Sequence, residues 1–287
     1  MDARQLEYFL AVVDHGGVNR AASALHLAQP SLSQAIRALE RDLGRELFHR
    51  VGRRLVLTDA GRALAEPARD VLRGLEIARA SVESVGGLAV GRVAVAAMPS
   101  QAVEPLSGMI RAFTSAHPRL RVTVRAAFTA PDVIQLVRTG VTELGLLASS
   151  DPPVIADVEL RMLRRQRFVV VAPPDSALAG PVRHADLAGQ RVIVGQAGTG
   201  MRRLVDEIRE SGVELFEVVE SEHREAVLPL VLGGVGVAVL ADSWASLARR
   251  AGAVVLDLVP PAYLHVALIS RDARPSPAAA AFLDSVR

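Results

Sequence analysis

Between Pro30 and Gly44 the side chains sort into two faces at helical spacing. Leu32, Ile36, Leu39 and Leu43 fall on one side; Gln34, Arg37 and Arg41 fall on the other, flanked by Ser33 and Ala38. A helix divided in this way has to bury its apolar face against other elements. Pro30 opens it where the missing N–H costs nothing, and Gly44 ends it. Upstream, Leu6, Phe9, Leu10 and Val13 predict an amphipathic helix stopping near Gly16-Gly17, and Val18, Ala21, Ala22 and Leu25 predict a second. His26-Leu27-Ala28-Gln29 is a short turn before the third helix. Downstream, LFHR and RLVLT read as two short strands about Val51-Gly52-Arg53, a wing.

The polar face of the third helix is cationic and narrow enough for a DNA major groove. Arg can donate twice to guanine O6 and N7, and Gln can pair with adenine N6 and N7. Ser31 and Ser33 stand where they reach phosphate or base edges, and Arg50, Arg53 and Arg54 on the wing suit phosphates or the minor groove. Most charged helix faces are merely solvated; the complete order of helix, helix, tight turn, Pro-started helix and basic wing favours the DNA reading. The whole chain carries a formal net charge of only +2. Residues 1–58 hold eight Arg against six acidic residues, so that excess lies in this segment. Every basic residue is Arg.

Other classes find little support. The chain has no Cys, which excludes disulfides and thiolate metal sites. The seven His are scattered without metal-ligand spacing, so no metal or cofactor is expected. MDARQLEYFL lacks the pattern of a signal peptide. The longest apolar run, Ala226–Ala241, contains Pro229 and three Gly and falls short of the ~20 residues of a spanning helix; it reads as a buried helix stopping at Gly233-Gly234, then a strand. A soluble, cytoplasmic protein is expected. Asp242-Ser243-Trp244 with a distant His265 is the one constellation a hydrolase reading has, and nothing in the sequence places them together. A solute-binding module without a regulatory role is the other alternative.

Residues 59–86 predict a long helix on which Leu64, Ala68, Val71, Leu75, Ala78, Val82 and Val85 form a heptad seam. Such a seam packs on a second copy or on the protein's own core; its length favours a dimer. Pro67 is expected to kink the first turns, and Gly86-Gly87 to act as a linker. From residue 91 on, strands at 92–97, 121–126, 144–147, 167–172, 191–195, 216–219, 235–240 and 264–270 alternate with helices, which makes an α/β domain. Arg92–Val95 before Pro99-Ser100 and Arg191–Val194 before Gly198-Thr199 echo one another. Two lobes facing across a cleft and chance similarity remain equally open on these residues.

The segment RAASALHLAQPSLSQAIRALERDLGRELFHRVGRRLVLTDAG, Arg20 to Gly61, resembles the signature of the LysR-type regulators: an Ala-Ala helix, Gln-Pro-Ser-Leu-Ser, Ile-x-x-Leu-Glu, Leu-Gly, Leu-Phe-x-Arg and Leu-Thr-x-x-Gly. The resemblance implies an overall α/β chain in three parts. These are a winged helix-turn-helix over 1–58, a dimerising linker helix over 59–87, and a two-lobed, periplasmic-binding-protein-like effector domain over 88–287. Lobe I would hold about 91–161 plus 267–287, and lobe II about 162–266. It implies a homodimer or homotetramer on an inverted-repeat operator, with RNA polymerase admitted as a further partner. Gln29, Ser31, Ser33, Gln34 and Arg37 become the expected DNA contacts, with Arg41 and the wing arginines beside them. The family pattern has Ser before Gln-Pro and Ser or Thr near the start of helix two; here Ala28, and Gly17 with Asn19, stand there, so a helix cap is weaker.

The same resemblance puts a small-molecule effector between the lobes. Carried onto this chain, Ser100 and Gln101 follow the first strand at a helix start, where free N–H groups and the helix dipole favour an anion. Phe128 and Thr129 follow the second strand, and Ala148, Ser149 and Ser150 the third. Gln196, Gly198, Thr199 and Met201 face them from the other lobe, and His223 and Arg224 add charge. The bland alternatives are that Ser and Thr are helix caps and that Phe128 is core. Gly195-x-x-Gly198-x-Gly200 matches a nucleotide loop only loosely. A metabolite-sized ligand is expected, with a carboxylate as one chemistry.

Overall fold

A computed structural model describes residues 1–52, 54–83 and 91–286. The chain divides into two compact units, one of Met1–Gly91, Thr139–Val141 and Pro275–Ala280, and one spanning Arg92–Arg138, Thr142–Arg274 and the described residues from Ala281 on.

The first unit opens with α1 (Ala3–His15), α2 (Val18–Ala24) and α3 (Gln29–Leu43), then a hairpin of β1 (Phe48–Val51) and β2 (Arg54–Leu57), then α4 (Asp59–Glu83). α1 starts on a capping box: the Asp2 carboxylate accepts from Gln5 N, and Gln5 Oε1 accepts from Asp2 N, both at 2.9 Å. Leu6, Phe9 and Leu10 meet Ala21 and Ala22 of α2, and Leu32, Ile36 and Leu39 of α3, in one buried cluster. Val12, not Val13, is the fully buried valine of α1, and Leu43 is 37% exposed because it stands on the last turn of α3, past the end of that cluster. Gly17 and Ala28 occupy the N-cap positions of α2 and α3, and neither helix has a side-chain cap bond.

Two residues of the signature turn out to be structural. The Glu40 carboxylate accepts from Leu47 N at 2.8 Å and Phe48 N at 3.4 Å, which fastens the first strand of the wing to α3. A Cβ on Gly61 would lie 2.2 Å from the Leu47 carbonyl oxygen, so only glycine lets α4 approach the hairpin this closely. α4 remains helical through Pro67. Its heptad seam is divided: Ala68 is buried and Leu64 packed in the unit's own core, whereas Val71, Leu75, Ala78 and Val82 are exposed. Val85 lies outside the described residues.

The second unit is built on β3 (Gly91–Ala97), β4 (Leu120–Ala126), β5 (Leu144–Ser149), β6 (Val158–Ala172), β7 (Val182–Arg183), β8 (Arg191–Gly195), β9 (Phe216–Ser221), β10 (Val237–Ala241), β11 (Val254–Val259) and β12 (Tyr263–Arg271). Its helices are α5 (Pro99–Gln101), α6 (Ser107–Ala116), α7 (Ala130–Arg138), α8 (Gly200–Glu210), α9 (Arg224–Leu232), α10 (Ala245–Arg250) and α11 (Pro277–Ser285). The strands follow the order β4-β3-β5-β12-β6-β10-β8-β9, with β11 and β7 beside β6. β3 and β5 run parallel in one lobe; β8, β9 and β10 run parallel in the other. β6 belongs to both: Val158–Arg167 pair with β12, and Phe168–Val171 with β10. The sequence marked only the second half of this strand, because Arg161, Arg164 and Arg165 mask the first; their side chains point out while the backbone ladder with β12 holds them extended. β7 and β11 were also missed. Ala96, Val133, Val137, Leu147 and Ile269 fill one lobe, and Val169, Val171, Ile193, Val227, Val231 and Leu240 the other.

Candidate nucleic-acid interface and effector cavity

With one face of α3 docked, the opposite face is free. Ser31, Gln34, Arg37 and Arg41 are exposed and Ser33 is half-buried. Gln29 Nε2 donates to Ser33 Oγ at 2.7 Å, so these two side chains form a preset pair on the first turn. Gly17, Asn19 and Arg20 at the start of α2, Gln29 and Ser33 of α3, and Arg50 of the wing line one concavity, with ≈ 720 Å³ open to the centres of water molecules. Arg50 is exposed. Arg53 and the side chain of Arg54 lie outside the described residues. Arg20 is a clamp: its guanidinium donates to the carbonyls of His15 and Gly16, each at 2.6 Å, closing the end of α1 against α2.

In the second unit the parallel strands of both lobes deliver their carboxyl ends to one place, where open α/β sheets hold ligands. Ser100, Gln101, Phe128, Met201 and Arg224 share a small inner cavity, of which only ≈ 20 Å³ is open to the centre of a water molecule. That is space for about one water. Ala148, Ser149, Ser150, Gly198 and Thr199 line a wider mouth of ≈ 730 Å³. Met98, Gly200 and Leu264 border both. Thr129 stands across from Gly198, its methyl group 3.8 Å from where a Cβ would be. Gln196 and His223 line neither space: Gln196 serves through its carbonyl, and exposed His223 pairs with Glu225 at 3.1 Å.

Several expected ligand groups are engaged within the protein. Thr199 caps α8, with Oγ1 accepting from Arg202 N at 3.3 Å and donating to the Gln196 carbonyl at 2.8 Å. Thr129 Oγ1 donates to Asp132 at 2.7 Å, and Ser149 Oγ to the Asp151 carbonyl at 2.5 Å. The helix at Ser100 is also not the anion site foreseen. α5 has three residues and the chain leaves helical geometry at Glu104, so no macrodipole accumulates there. Ser100 Oγ instead accepts from Trp244 Nε1 at 3.1 Å, a contact from one lobe to the other.

The charge in the cavity is Arg224. No acidic side chain pairs with it among the described residues; Nη1 points at Met201 Sδ at 2.8 Å, and burial pushes its pKa down to about 10. The mouth is different. Arg202 is matched by Asp206, Glu217 and Glu220, with the Asp206 hydrogen bond holding its pKa above the ordinary value, and Arg203 is matched by Glu207. Gly195 makes the inner arrangement fit, since a Cβ there would stand 2.7 Å from Thr199 Oγ1 and 3.3 Å from Arg224 Nη2.

Trp244, Gln166 and Phe168 were missed as site residues. Trp244 entered the sequence reading only beside Asp242 and Ser243. Those do not form hydrolase parts: Asp242 faces Arg164 at 3.9 Å, Ser243 Oγ is buried without a hydrogen-bond partner, and His265 sits in β12 opposite Ser149 and Arg165. No group of His, Asp and Glu suited to a metal occurs among the described residues, and no described helix is long and apolar enough to cross a membrane.

A docked helix-turn-helix with a free cationic face, in one chain with a two-lobed sensing domain around a desolvated cation, defines a ligand-responsive DNA-binding regulator. Comparison with known proteins agrees. Residues 3–62 match the bacterial regulatory helix-turn-helix protein, lysR family, and residues 86–287 match the LysR substrate binding domain. The chain belongs to the LysR family of transcriptional regulators. A RuBisCO operon transcriptional regulator of Allochromatium vinosum is 31% identical over 295 residues, covering 99% of this chain and 94% of the relative. An SDS degradation transcriptional activation protein of a Pseudomonas species is 32% identical over 241 residues, covering 80% and 76%. The crystal structure of CbnR, a LysR family transcriptional regulator, matches with a TM-score of 0.72 at 24% identity, covering 100% of this chain and 98% of that one. Full-length CbnR complexed with its target DNA matches at 0.70 and 24% identity, covering 100% and 99%.

Proposed function

We propose that this chain acts in the cytoplasm as a homo-oligomer, at least dimeric, on an inverted-repeat operator, with no catalytic activity of its own. The observation that carries the reading is the exposed Gln34, Arg37 and Arg41 face of α3 opposite buried Leu32 and Leu39. Gln29, Ser31, Ser33, Gln34, Arg37 and Arg41 read or position the major groove, and Arg50, Arg53 and Arg54 hold phosphates or the minor groove. The exposed Val71, Leu75, Ala78 and Val82 of α4 provide the seam for a second copy. A bound anion in the inner cavity favours one arrangement of the two lobes and thereby changes operator occupancy. Ser100, Gln101, Phe128, Met201 and Arg224 form the ligand wall, with Thr199 and Ser149 at its mouth.

Gel-shift and anisotropy titrations against the DNA upstream of the protein's own gene test the first part. Binding should be specific and weaken steeply with salt. Arg37→Ala should lower operator affinity by about 1–3 kcal/mol and relax preference at one base pair if it reads a base. Unchanged affinity and specificity in that variant would remove α3 as the reader.

A further inference from the structure

The inner cavity has two chemically distinct ends. Arg224 is the only charged residue on its wall among the described residues. Gly200 and Met201, the first residues of the eleven-residue helix α8, line the same space, and their N–H groups have no partner within the helix. The other end is Gln101, 1% exposed, whose Oε1 has no hydrogen-bond partner.

The identity of that orphan atom follows from a relay. Chain geometry breaks at Glu104 and leaves its carbonyl oxygen free to accept. Gln166 donates Nε2 to that carbonyl at 2.9 Å, so Gln166 must turn Oε1 toward Gln101. Gln101 then has to donate Nε2 to Gln166 Oε1, which it does at 2.8 Å. A backbone carbonyl cannot donate, so neither amide can flip without setting acceptor against acceptor. The unpaired atom is therefore a buried acceptor, on a residue that lines the cavity. A buried polar atom left unpaired is costly, and a partner that supplies a donor removes the cost. Between the two ends the wall is apolar at Phe128, Phe168, Leu264 and Met201, with the hydroxyl of Ser100 already accepting from Trp244.

We infer that the effector is a monoanion carrying a neutral hydrogen-bond donor, of the hydroxy-monocarboxylate class: the inner cavity, with room for about one water when empty, widens into the adjoining mouth to admit it, its anionic group meets Arg224 and the start of α8, and its donor meets Gln101 Oε1. Dicarboxylates are disfavoured, because the second carboxylate brings acceptors to an acceptor and finds no second cation. This rests on the reading of the inter-lobe cavity as the effector site.

The test uses the full chain and its single tryptophan, Trp244, which reports on the cavity through Ser100. Emission and melting temperature are titrated at millimolar concentration with three chain-length-matched series. These are acetate, propionate and butyrate; glycolate, 3-hydroxypropionate and 4-hydroxybutyrate; and malonate, succinate and glutarate. One hydroxy acid should bind roughly five- to tenfold more tightly than its plain counterpart, the worth of one hydrogen bond, and the dicarboxylates more weakly than either. Gln101→Met should erase the hydroxyl preference while keeping carboxylate binding, and Arg224→Met should abolish both. The wild-type ranking decides the matter even where Gln101→Met fails to fold. Dicarboxylates binding as well as hydroxy acids, silence toward all nine compounds, or a preference surviving Gln101→Met each overturns the inference; the last outcome means that a buried water satisfies Gln101. Operator binding is followed in parallel. Acids that bind in the expected order without altering operator binding would leave the ligand chemistry standing and remove the regulatory reading. An operator response that persists in Arg224→Met would place the effector elsewhere.

Discussion

Replacing Arg224 with methionine should make the ligand-free protein more stable. Burial takes the guanidinium pKa from its ordinary value down to about 10. A base lowered in this way holds fewer protons folded than unfolded between those two values. Stability therefore rises as pH climbs from about 10 toward the ordinary arginine value, and everywhere below that window the folded state bears the full cost of the desolvated charge. At 1.36 kcal/mol per pKa unit the cost is about 3 kcal/mol. Methionine keeps an unbranched stem beside Met201 but gives up some of the contacts of the longer side chain, so a net gain of about 1–2 kcal/mol is expected. For a domain of this size each kcal/mol moves the midpoint by roughly 2–4 °C. Thermal unfolding of the full chain at pH 7, followed by Trp244 emission, measures the shift. Small carboxylates should raise the midpoint of wild type through ordinary linkage and leave Arg224→Met where it is. An unchanged or lower midpoint in the variant would show that Arg224 already has a compensating environment, and the argument for an anionic effector would lose its basis.

Three further outcomes test the first unit. Glu40→Ala leaves Leu47 N without its acceptor and should cost about 2 kcal/mol in urea unfolding, with Glu40→Gln recovering about half because an amide oxygen still accepts. Gly61→Ala should destabilise by at least about 2 kcal/mol, since the added carbon meets a backbone oxygen rather than a yielding side chain; a neutral result would show that α4 shifts freely away from the wing. Ala28→Ser supplies the side-chain cap that α3 lacks and should add about 1 kcal/mol in the same measurement.

The helix-turn-helix was readable because its information is local. Side-chain period, a proline at a helix start and a glycine at a helix end fix α1 to α3 within a few residues. Even there, Glu40 and Gly61 looked like signature letters without a physical role, since their partners on Leu47 become neighbours only when the wing folds back. The cavity was readable at the strand ends, where Ser100, Phe128 and Met201 follow apolar runs. What could not be read was how the protein uses its own polar groups. Thr199, Thr129 and Ser149 spend their hydroxyls on caps and turns, and no local pattern separates such a residue from one that awaits a ligand. Gln166 and Trp244 carry no local signal of a site. One lies in an arginine-rich stretch that hides half of β6, the other in a turn after β10, and each gains meaning only by meeting Ser100 or Gln101 from a distant strand end.

β6 runs through both sheets, and among the described residues the polar contacts from lobe to lobe include neutral ones, Trp244 with Ser100 and Gln166 with Gln101 and the Glu104 carbonyl, and an Arg203–Asp151 pair at 3.7 Å that is too exposed to count for much. Such contacts set a preference without locking it. The desolvated guanidinium is a larger reserve. If an anion relieves a cost of about 3 kcal/mol in one arrangement of the lobes and not in the other, the populations change roughly a hundredfold. That is the upper end of ordinary coupling between sites. On the proposed reading, the instability attributed to Arg224 in the free protein and the responsiveness to its effector are one quantity, so a substitution that removes the first removes the second.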